Sequence, residues 1–144
     1  MMRWINLPLL FSLLHLPPSY ADEIMLHIGE HEIRAVIANT PAARQNGLMH
    51  SHCLCANCGM LFVFPQEGKY HFWMKDTPRP LAIAFISANG SIVNIDEMEA
   101  NSTQIHSGLN NAMYALEMNQ NWFAQHDIKA RDHVAGLQQA PPGE

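Results

Sequence analysis

Residues 50–58 hold the densest group of reactive side chains in the sequence, with three thiols and two imidazoles within nine positions. The candidate metal ligands are His50, His52, Cys53, Cys55 and Cys58. Thiolate and imidazole are donors that zinc and copper bind well, and two cysteines separated by two residues can chelate one ion. A copper or zinc site is therefore one interpretation of this segment.

Two other interpretations of the cysteines remain open. In an oxidising compartment two thiols tend to form a disulfide, and the odd number of cysteines would leave one thiol over. Cys55 and Cys58 also have the spacing of a redox dithiol. However, an apolar segment follows them, whereas a helix N-terminus is what commonly lowers the pKa of a catalytic thiol. The pattern favours a structural disulfide over metal binding and over thiol exchange.

A second group of polar and aromatic side chains lies in residues 71–75. If this segment is a strand, His71, Trp73 and Lys75 share one face, while Phe72 and Met74 share the other. An indole beside an ammonium and an imidazole suits a sugar ring or a small anion, because the ring offers contact area and the cation orients the ligand. The alternative is a solvated lysine whose stem lies along the tryptophan on an exposed sheet face.

Signatures of hydrolytic catalysis are missing from the sequence. It contains no nucleophile elbow and no H-E-x-x-H motif. Asp96, Glu97 and Glu99 lie close together, but at the end of a predicted exposed strand, where solvated acids are ordinary. His106 and the other scattered histidines are expected at the surface. The sequence therefore favours a protein that is not an enzyme.

Residues 1–21 have the pattern of a cleaved secretory signal peptide, with Arg3, an apolar run over residues 5–16 and small residues at Ser19 and Ala21. The run is too short and too interrupted for a membrane-spanning helix, so we expect no span after cleavage. The prediction is a periplasmic or secreted protein.

Thirteen acidic residues against eight basic ones give a net charge of −5, which makes nucleic acid a poor partner.

Short strands dominate the predicted structure of residues 22–137, which we interpret as one domain, followed by a disordered tail over residues 138–144. The predicted strands cover residues 24–28, 32–38, 59–64, 71–75, 81–87, 91–96, 113–118 and 132–134. Many short strands with two small helices indicate a mainly β, α+β class domain, built as a barrel or sandwich.

Local signals mark the turns between these elements. Thr40 can cap a helix that begins at Pro41, and Gly47 can end it. A second short helix is predicted over residues 122–126. Asn89-Gly90 predicts a two-residue hairpin turn with both residues at positive φ. Residues 65–69, which begin with Pro65, are predicted to end the preceding strand.

Several strings together resemble the bacterial and archaeal domain-of-unknown-function family 192. They are RQNGLMH (44–50), GMLFVF (59–64), FWMKDT (72–77), PLAIAFIS (80–87) with NGSIV (89–93), and YALEM (114–118). The resemblance runs from about residue 39 to residue 134. It implies a compact, mostly β fold, small proteins that often carry a signal peptide, and no established activity.

The resemblance adds two charged residues to the candidate site, because Arg44 and Glu117 lie inside the matching strings. They could close the same cleft or form an ion pair across it. The sequence also departs from the family pattern. Asp76 occupies a position where the family usually has asparagine, and Ala82 occupies one where it often has an acidic residue. The three cysteines of residues 53–58 lie in a segment where the family generally has polar residues.

The expected function is therefore a non-enzymatic periplasmic module that binds a small ligand or a partner protein. Its candidate binding residues are Arg44, His71, Trp73, Lys75 and Glu117. The alternative is a protein that handles copper, zinc or thiols through residues 50–58.

Overall fold

A computed structural model describes residues 22–52 and 54–144, and within these residues nine short strands and two short helices form the fold. The predicted signal peptide and Cys53 lie outside the described residues. The strands are β1 (Glu23–Ile28), β2 (His31–Ala38), β3 (Cys58–Gly68), β4 (His71–Phe72), β5 (Leu81–Ile86), β6 (Ile92–Met98), β7 (His106–Ser107), β8 (Ala112–Asn119) and β9 (Val134–Ala135). The helices are α1 (Pro41–Asn46) and α2 (Trp122–Gln125), and Leu137–Gln139 form a 3₁₀ turn.

Seven of these strands form one curled sheet, a half-barrel with the order β6-β5-β8-β3-β2-β1-β9. All neighbours pair antiparallel except β2 and β3, which are parallel and are joined through α1. Strands β4 and β7 form a separate two-stranded ribbon. The mainly β fold with two short helices is confirmed.

The sheet has two faces, and each is covered by its own apolar core. We call the side that carries Leu61, Leu116 and Ala84 the first face, since these three residues are register partners across β3, β8 and β5. They belong to a core that also includes Trp122 and Phe123 of α2. The second face carries the register partners Phe62, Ala115 and Phe85 and has a core of its own. Side chains alternate between the faces along each strand.

Helix α1 begins and ends as its sequence predicts. The Thr40 hydroxyl accepts a hydrogen bond from the Ala43 N–H at 3.1 Å, Pro41 occupies the first helical position, and Gly47 takes a positive φ of 47° at the end. This capping matters because the helix is only six residues long, too short to be stable without its ends satisfied and its side chains packed. Cap and proline thus fix a short helix beside the second face.

The predicted strand over residues 71–75 ends early, because only His71–Phe72 pairs with β7. The predicted alternation nevertheless persists beyond the strand. His71, Trp73 and Lys75 are exposed, and Met74 is buried in the second-face core, against which Phe72 also packs. The chain then turns sharply at Asp76, which has a positive φ of 54°.

Two predicted turns differ from the structure. In the hairpin between β5 and β6 only Gly90 has a positive φ, and the Gly90 N–H donates to the Ser87 carbonyl at 2.9 Å. Ser87 and Ser91 flank a three-residue loop, so the hairpin uses a type I turn followed by a left-handed glycine, and the two-residue prediction was wrong. Pro65 does not end β3 either. The pairing of β3 with β8 shifts register between Val63 and Gly68, and a proline is tolerated there because no ladder hydrogen bond needs its nitrogen.

The tail over residues 138–144, which the sequence predicts to be disordered, makes defined contacts in the structure. The side-chain amide of Asn39 donates to the Pro142 carbonyl at 3.1 Å, and the Glu144 N–H donates to the Asn39 carbonyl at 2.8 Å. Gly143 lies against the backbone of Phe64 so closely that a Cβ would collide with it.

None of the helices within the described residues is long and apolar enough to span a membrane.

Candidate functional site

A cavity of about 270 Å³ lies on the second face, between α1, the ribbon strand β4 and the sheet. Its aromatic lining comes from β3 and from residues 70–73. The members of this lining are Phe62, Phe64, Tyr70, Phe72 and Trp73. Residues 44–49, His71, Thr77 and Glu117 complete it. The cavity therefore combines an aromatic wall with a comparable share of polar groups, which can orient a ligand.

The aromatic side chains of the wall pack against one another. Tyr70 stacks on Phe64 with ring centroids 3.5 Å apart, and Phe62 meets Phe72 edge to face at 4.9 Å. Phe72 also contacts Phe85 of the second-face core edge to face at 5.7 Å. Edge-to-face and stacked pairs restrict ring motion and stabilise each other by roughly 1 kcal/mol a pair. The wall is thus a preformed surface continuous with the core.

Glu117 lies in the middle of the sheet and lines the cavity. Its register partners on the neighbouring strands are Met60 of β3 and Ile83 of β5, so apolar side chains flank it on both sides. Only 4% of the residue is exposed. Burial raises the pKa of Glu117 from its ordinary 4.5 to about 8, because a charged carboxylate loses its hydration there. The group is therefore mainly protonated at pH 7 and can donate a hydrogen bond.

Arg44 reaches the cavity from α1, but three of its five N–H donors are already engaged. Nη1 donates to the carbonyls of Asn39 at 2.6 Å and Val63 at 3.0 Å, and Nη2 donates to the Glu144 carbonyl at 2.6 Å. The guanidinium also lies 5.5 Å from the ring centroid of Phe64. Among the described residues the ion pairs do not include one between Arg44 and Glu117. Arg44 thus ties α1, β3 and the tail together at the cavity wall.

The predicted polar-aromatic surface lies at the rim of the cavity. His71 and Trp73 line it, and His71 Nδ1 is 2.5 Å from the Ser107 hydroxyl on β7. Lys75 does not line the cavity. Its Nζ lies 5.5 Å from the indole centroid of Trp73, which is half-exposed. The structure therefore brings Arg44, His71, Trp73 and Glu117 to one cavity and places Lys75 just outside it.

A polar cluster on the same face, at β6 and β7, was not predicted from the sequence. His106 is 7% exposed, not a surface residue as expected, and its Nδ1 lies 3.2 Å from Asp96 Oδ2. Asn94 donates to Asp96 at 3.2 Å and accepts from the Leu109 N–H at 2.9 Å. Because Asn94 and Asp96 alternate with Ile95 on β6, their shared face could have been read from the strand pattern. The burial of that face could not, since β7 covers it and was not predicted.

The cysteine segment contains a disulfide between Cys55 and Cys58, whose Cα atoms are 5.0 Å apart. A loop of this size removes little conformational freedom from the unfolded chain, so the bond stabilises the fold by about 2 kcal/mol at most. His50 and His52 are exposed. Among the residues that the structure describes, which leave out Cys53, no group of three or more His, Cys, Asp or Glu side chains is arranged to hold a metal ion. Copper or zinc binding stays a prediction.

Two solved structures share this fold. A crystal structure of a Sinorhizobium meliloti 1021 protein, described as a candidate transcription regulator, matches with a TM-score of 0.75 and 27% sequence identity. The match covers 80% of this chain and 92% of that one. A protein of unknown function from Novosphingobium aromaticivorans DSM 12444 matches with a TM-score of 0.77 and 27% identity, over 83% of this chain and 89% of that one.

A comparison with curated proteins found no match. The family model of DUF192, described as an uncharacterized ACR, matches residues 24–136, which include every strand except the first residue of β1. The match includes the second-face core, the cavity and Glu117, and it includes the first-face core except Leu137 and the adjoining Ala140. The chain therefore belongs to domain-of-unknown-function family 192.

Proposed function

We propose that this domain is the binding module of an exported protein, and that it holds a small, uncharged, largely apolar ligand in the second-face cavity. The observation that carries the proposal is the carboxyl of Glu117, which is buried at a cavity. None of the side-chain hydrogen bonds or ion pairs among the described residues involves this carboxyl, and burial raises its pKa. A polar group of this kind is commonly retained for function.

The size and lining of the cavity define the ligand class. A volume of about 270 Å³ is near the lower end of ligand cavities, which hold about 300 to 1,000 Å³. Phe62, Phe64 and Phe72 offer ring faces and edges for a flat apolar body. The protonated Glu117 supplies a donor for a carbonyl or hydroxyl oxygen of the ligand. His71 and Trp73, at the rim, can contact the part of the ligand that faces solvent.

The electrostatics of the site favour a neutral ligand over an anionic one. The cation nearest to the cavity interior, Arg44, already donates to three carbonyl groups. An anion inside the cavity would lose its hydration and would find a guanidinium with only part of its hydrogen-bonding capacity left. A nucleic-acid ligand also fits poorly with a net charge of −5.

Three ring compounds test this proposal on the folded protein: benzamide, benzoate and toluene. Ligand-detected NMR at pH 7 should show benzamide binding with a Kd on the order of 1 mM, as expected for a fragment of about nine heavy atoms. Benzoate should bind at least about tenfold more weakly, because its charge must be desolvated. Toluene should bind without depending on Glu117.

Two substitutions of Glu117 test whether benzamide binding depends on a hydrogen-bond donor at this position or only on the size of the side chain. Glu117→Leu should weaken benzamide binding about tenfold and leave toluene binding unchanged, because only benzamide needs a donor. Glu117→Gln keeps a donor and should keep benzamide binding. Glu99→Gln, an exposed glutamate outside the cavity, is the matched control and should change nothing. Benzamide binding that is equal in the Glu117→Leu variant and in the unmodified protein would refute the role of the carboxyl.

A further inference from the structure

We propose that the Cys55–Cys58 disulfide is a second functional site, one that oxidises an external thiol by thiol–disulfide exchange. This site is separate from the cavity and does not depend on the proposed ligand. It rests on three observations: the unequal exposure of the two sulfur-bearing residues, a cation at one sulfur, and a turn that is held without the disulfide.

The two cysteines differ in access. Cys55 is exposed, in the loop before β3, whereas Cys58 is the half-buried first residue of that strand. An incoming thiolate must approach a disulfide sulfur directly, so it meets Cys55 more easily. Cys58 is then the leaving group. The geometry thus assigns different roles to the two residues.

Arg34 stabilises the leaving group. It is the register partner of Cys58 across the parallel β2–β3 pair, and its Nη2 donates to Cys58 Sγ at 3.6 Å. A guanidinium beside a sulfur favours the thiolate, and a better-stabilised thiolate leaves faster. Glu23 faces the same guanidinium at 3.8 Å from Nε, so Arg34 is shared between a carboxylate and the sulfur. The lack of a helix N-terminus here was visible in the sequence, but the strand register that brings Arg34 to Cys58 was not.

The turn that carries the disulfide is held by hydrogen bonds that do not involve sulfur. The Cys55 carbonyl accepts from the Cys58 N–H at 3.1 Å and from Asn119 Nδ2 at 2.9 Å. Asn57 is fixed through its carbonyl by the Arg34 N–H at 3.0 Å and through Oδ1 by Trp122 Nε1 at 3.0 Å. These bonds keep the two sulfur atoms close to each other after reduction. Reduction and reoxidation can therefore proceed without local unfolding.

The exchange is balanced in atoms and electrons. The external thiolate attacks Cys55 Sγ, a new S–S bond forms, and the Cys55–Cys58 bond breaks with its electron pair leaving on Cys58 Sγ. A second external thiolate attacks the external sulfur of this mixed disulfide and releases Cys55 as a thiolate. The external pair is oxidised to a disulfide, and the domain takes up two electrons, with protons added from solvent.

The test uses the folded mature protein with Cys53→Ser, so that only the two thiols of the site can react. Reduced glutathione is added, the reaction is stopped early with an alkylating reagent, and peptide mass spectrometry locates each label. We expect glutathione on Cys55 and the alkyl group on Cys58, in a protein whose circular dichroism is unchanged. Glutathione mainly on Cys58, or reduction that occurs only in denaturant, would overturn the proposal.

A second arm tests Arg34 and the source of the thiol. Arg34→Gln should slow the formation of the mixed disulfide by about three- to tenfold, because the leaving thiolate loses its cation. Lys129→Gln, an exposed cation elsewhere, should leave the rate unchanged. A reduced synthetic peptide with two cysteines is compared with glutathione, and a faster reaction with the peptide favours a polypeptide dithiol over a small thiol as the reductant. An unchanged rate in the Arg34→Gln variant would contradict the assigned role of Arg34.

Discussion

The two faces of the curled sheet differ in what they bury. The first face, which carries Leu61, Leu116 and Ala84, is covered by an apolar core. Among the described residues, the buried polar side chains are Thr77, Asn94, His106 and Glu117, and they lie on or over the second face. Only the second face also has the aromatic cavity. Both faces supply stability through their apolar cores, but the second face also keeps polar groups whose burial costs stability.

Neighbouring residues on β8 give the sharpest form of this comparison, because Leu116 and Glu117 point to opposite faces. Leu116 is fully buried. We expect Leu116→Ala to lower the free energy of unfolding by about 4 kcal/mol, from lost burial and the void left behind. Urea unfolding measures this change. Leu109→Ala, at a leucine that is 72% exposed, is the matched control and should change stability by less than about 0.5 kcal/mol.

Glu117→Gln should have the opposite sign. The pKa of Glu117 is about 8 in the folded protein, against an ordinary value of 4.5. Below pH 4.5 both states are protonated and the group has no effect, but as the pH rises towards 8 only the unfolded state ionises, and the folded protein loses stability. Glu117→Gln removes this loss and should raise the free energy of unfolding by about 3 kcal/mol at pH 7.

The gain from Glu117→Gln should shrink to almost nothing at about pH 4.5, which urea unfolding at both pH values would show. The exposed Glu99 provides the control variant Glu99→Gln, which should show no such gain at pH 7. A Glu117→Gln variant that is less stable than the unmodified protein at pH 7 would mean that the carboxyl is ionised and stabilised in the fold.

Asn94→Ala tests whether the second face depends on its polar network. Asn94 accepts from the Leu109 N–H and donates to Asp96, so its removal leaves buried groups without partners. We expect a loss of about 2 kcal/mol in the free energy of unfolding, measured in urea. The exposed Asn110 serves for comparison, and Asn110→Ala should have little effect. Equal losses in the two variants would argue against a structural role for the network.

The smallest expected effect concerns α1, which forms one wall of the cavity. Thr40→Ala removes the side-chain cap on the Ala43 N–H and should cost about 1 kcal/mol. Thr103→Ala, at an exposed threonine, is the control. Unfolding in urea gives the loss, and the same protein should bind benzamide more weakly if the wall depends on the cap. No change in stability would show that packing alone holds the helix.

Local features of this fold were predictable from the sequence where the cause is itself local. The Thr40 cap, Pro41 and Gly47 define α1 through neighbouring atoms, and the alternation in residues 71–75 places Trp73 outward even though β4 ends at Phe72. The family strings also pointed to Arg44 and Glu117. The raised pKa of Glu117 was not predictable, since it depends on Met60 and Ile83 from strands far away in the chain. The contact of Arg34 with Cys58 likewise depends on strand register.

The central claim is that Glu117 is uncharged in the cavity at neutral pH. Carbon-13 NMR of protein labelled at the glutamate carboxyl carbons follows each group through a pH titration, and Glu117→Gln assigns the signal. We predict that the Glu117 signal titrates with an apparent pKa near 8. A midpoint near the ordinary 4.5 would show that the carboxylate is ionised in the fold, and it would contradict the claim.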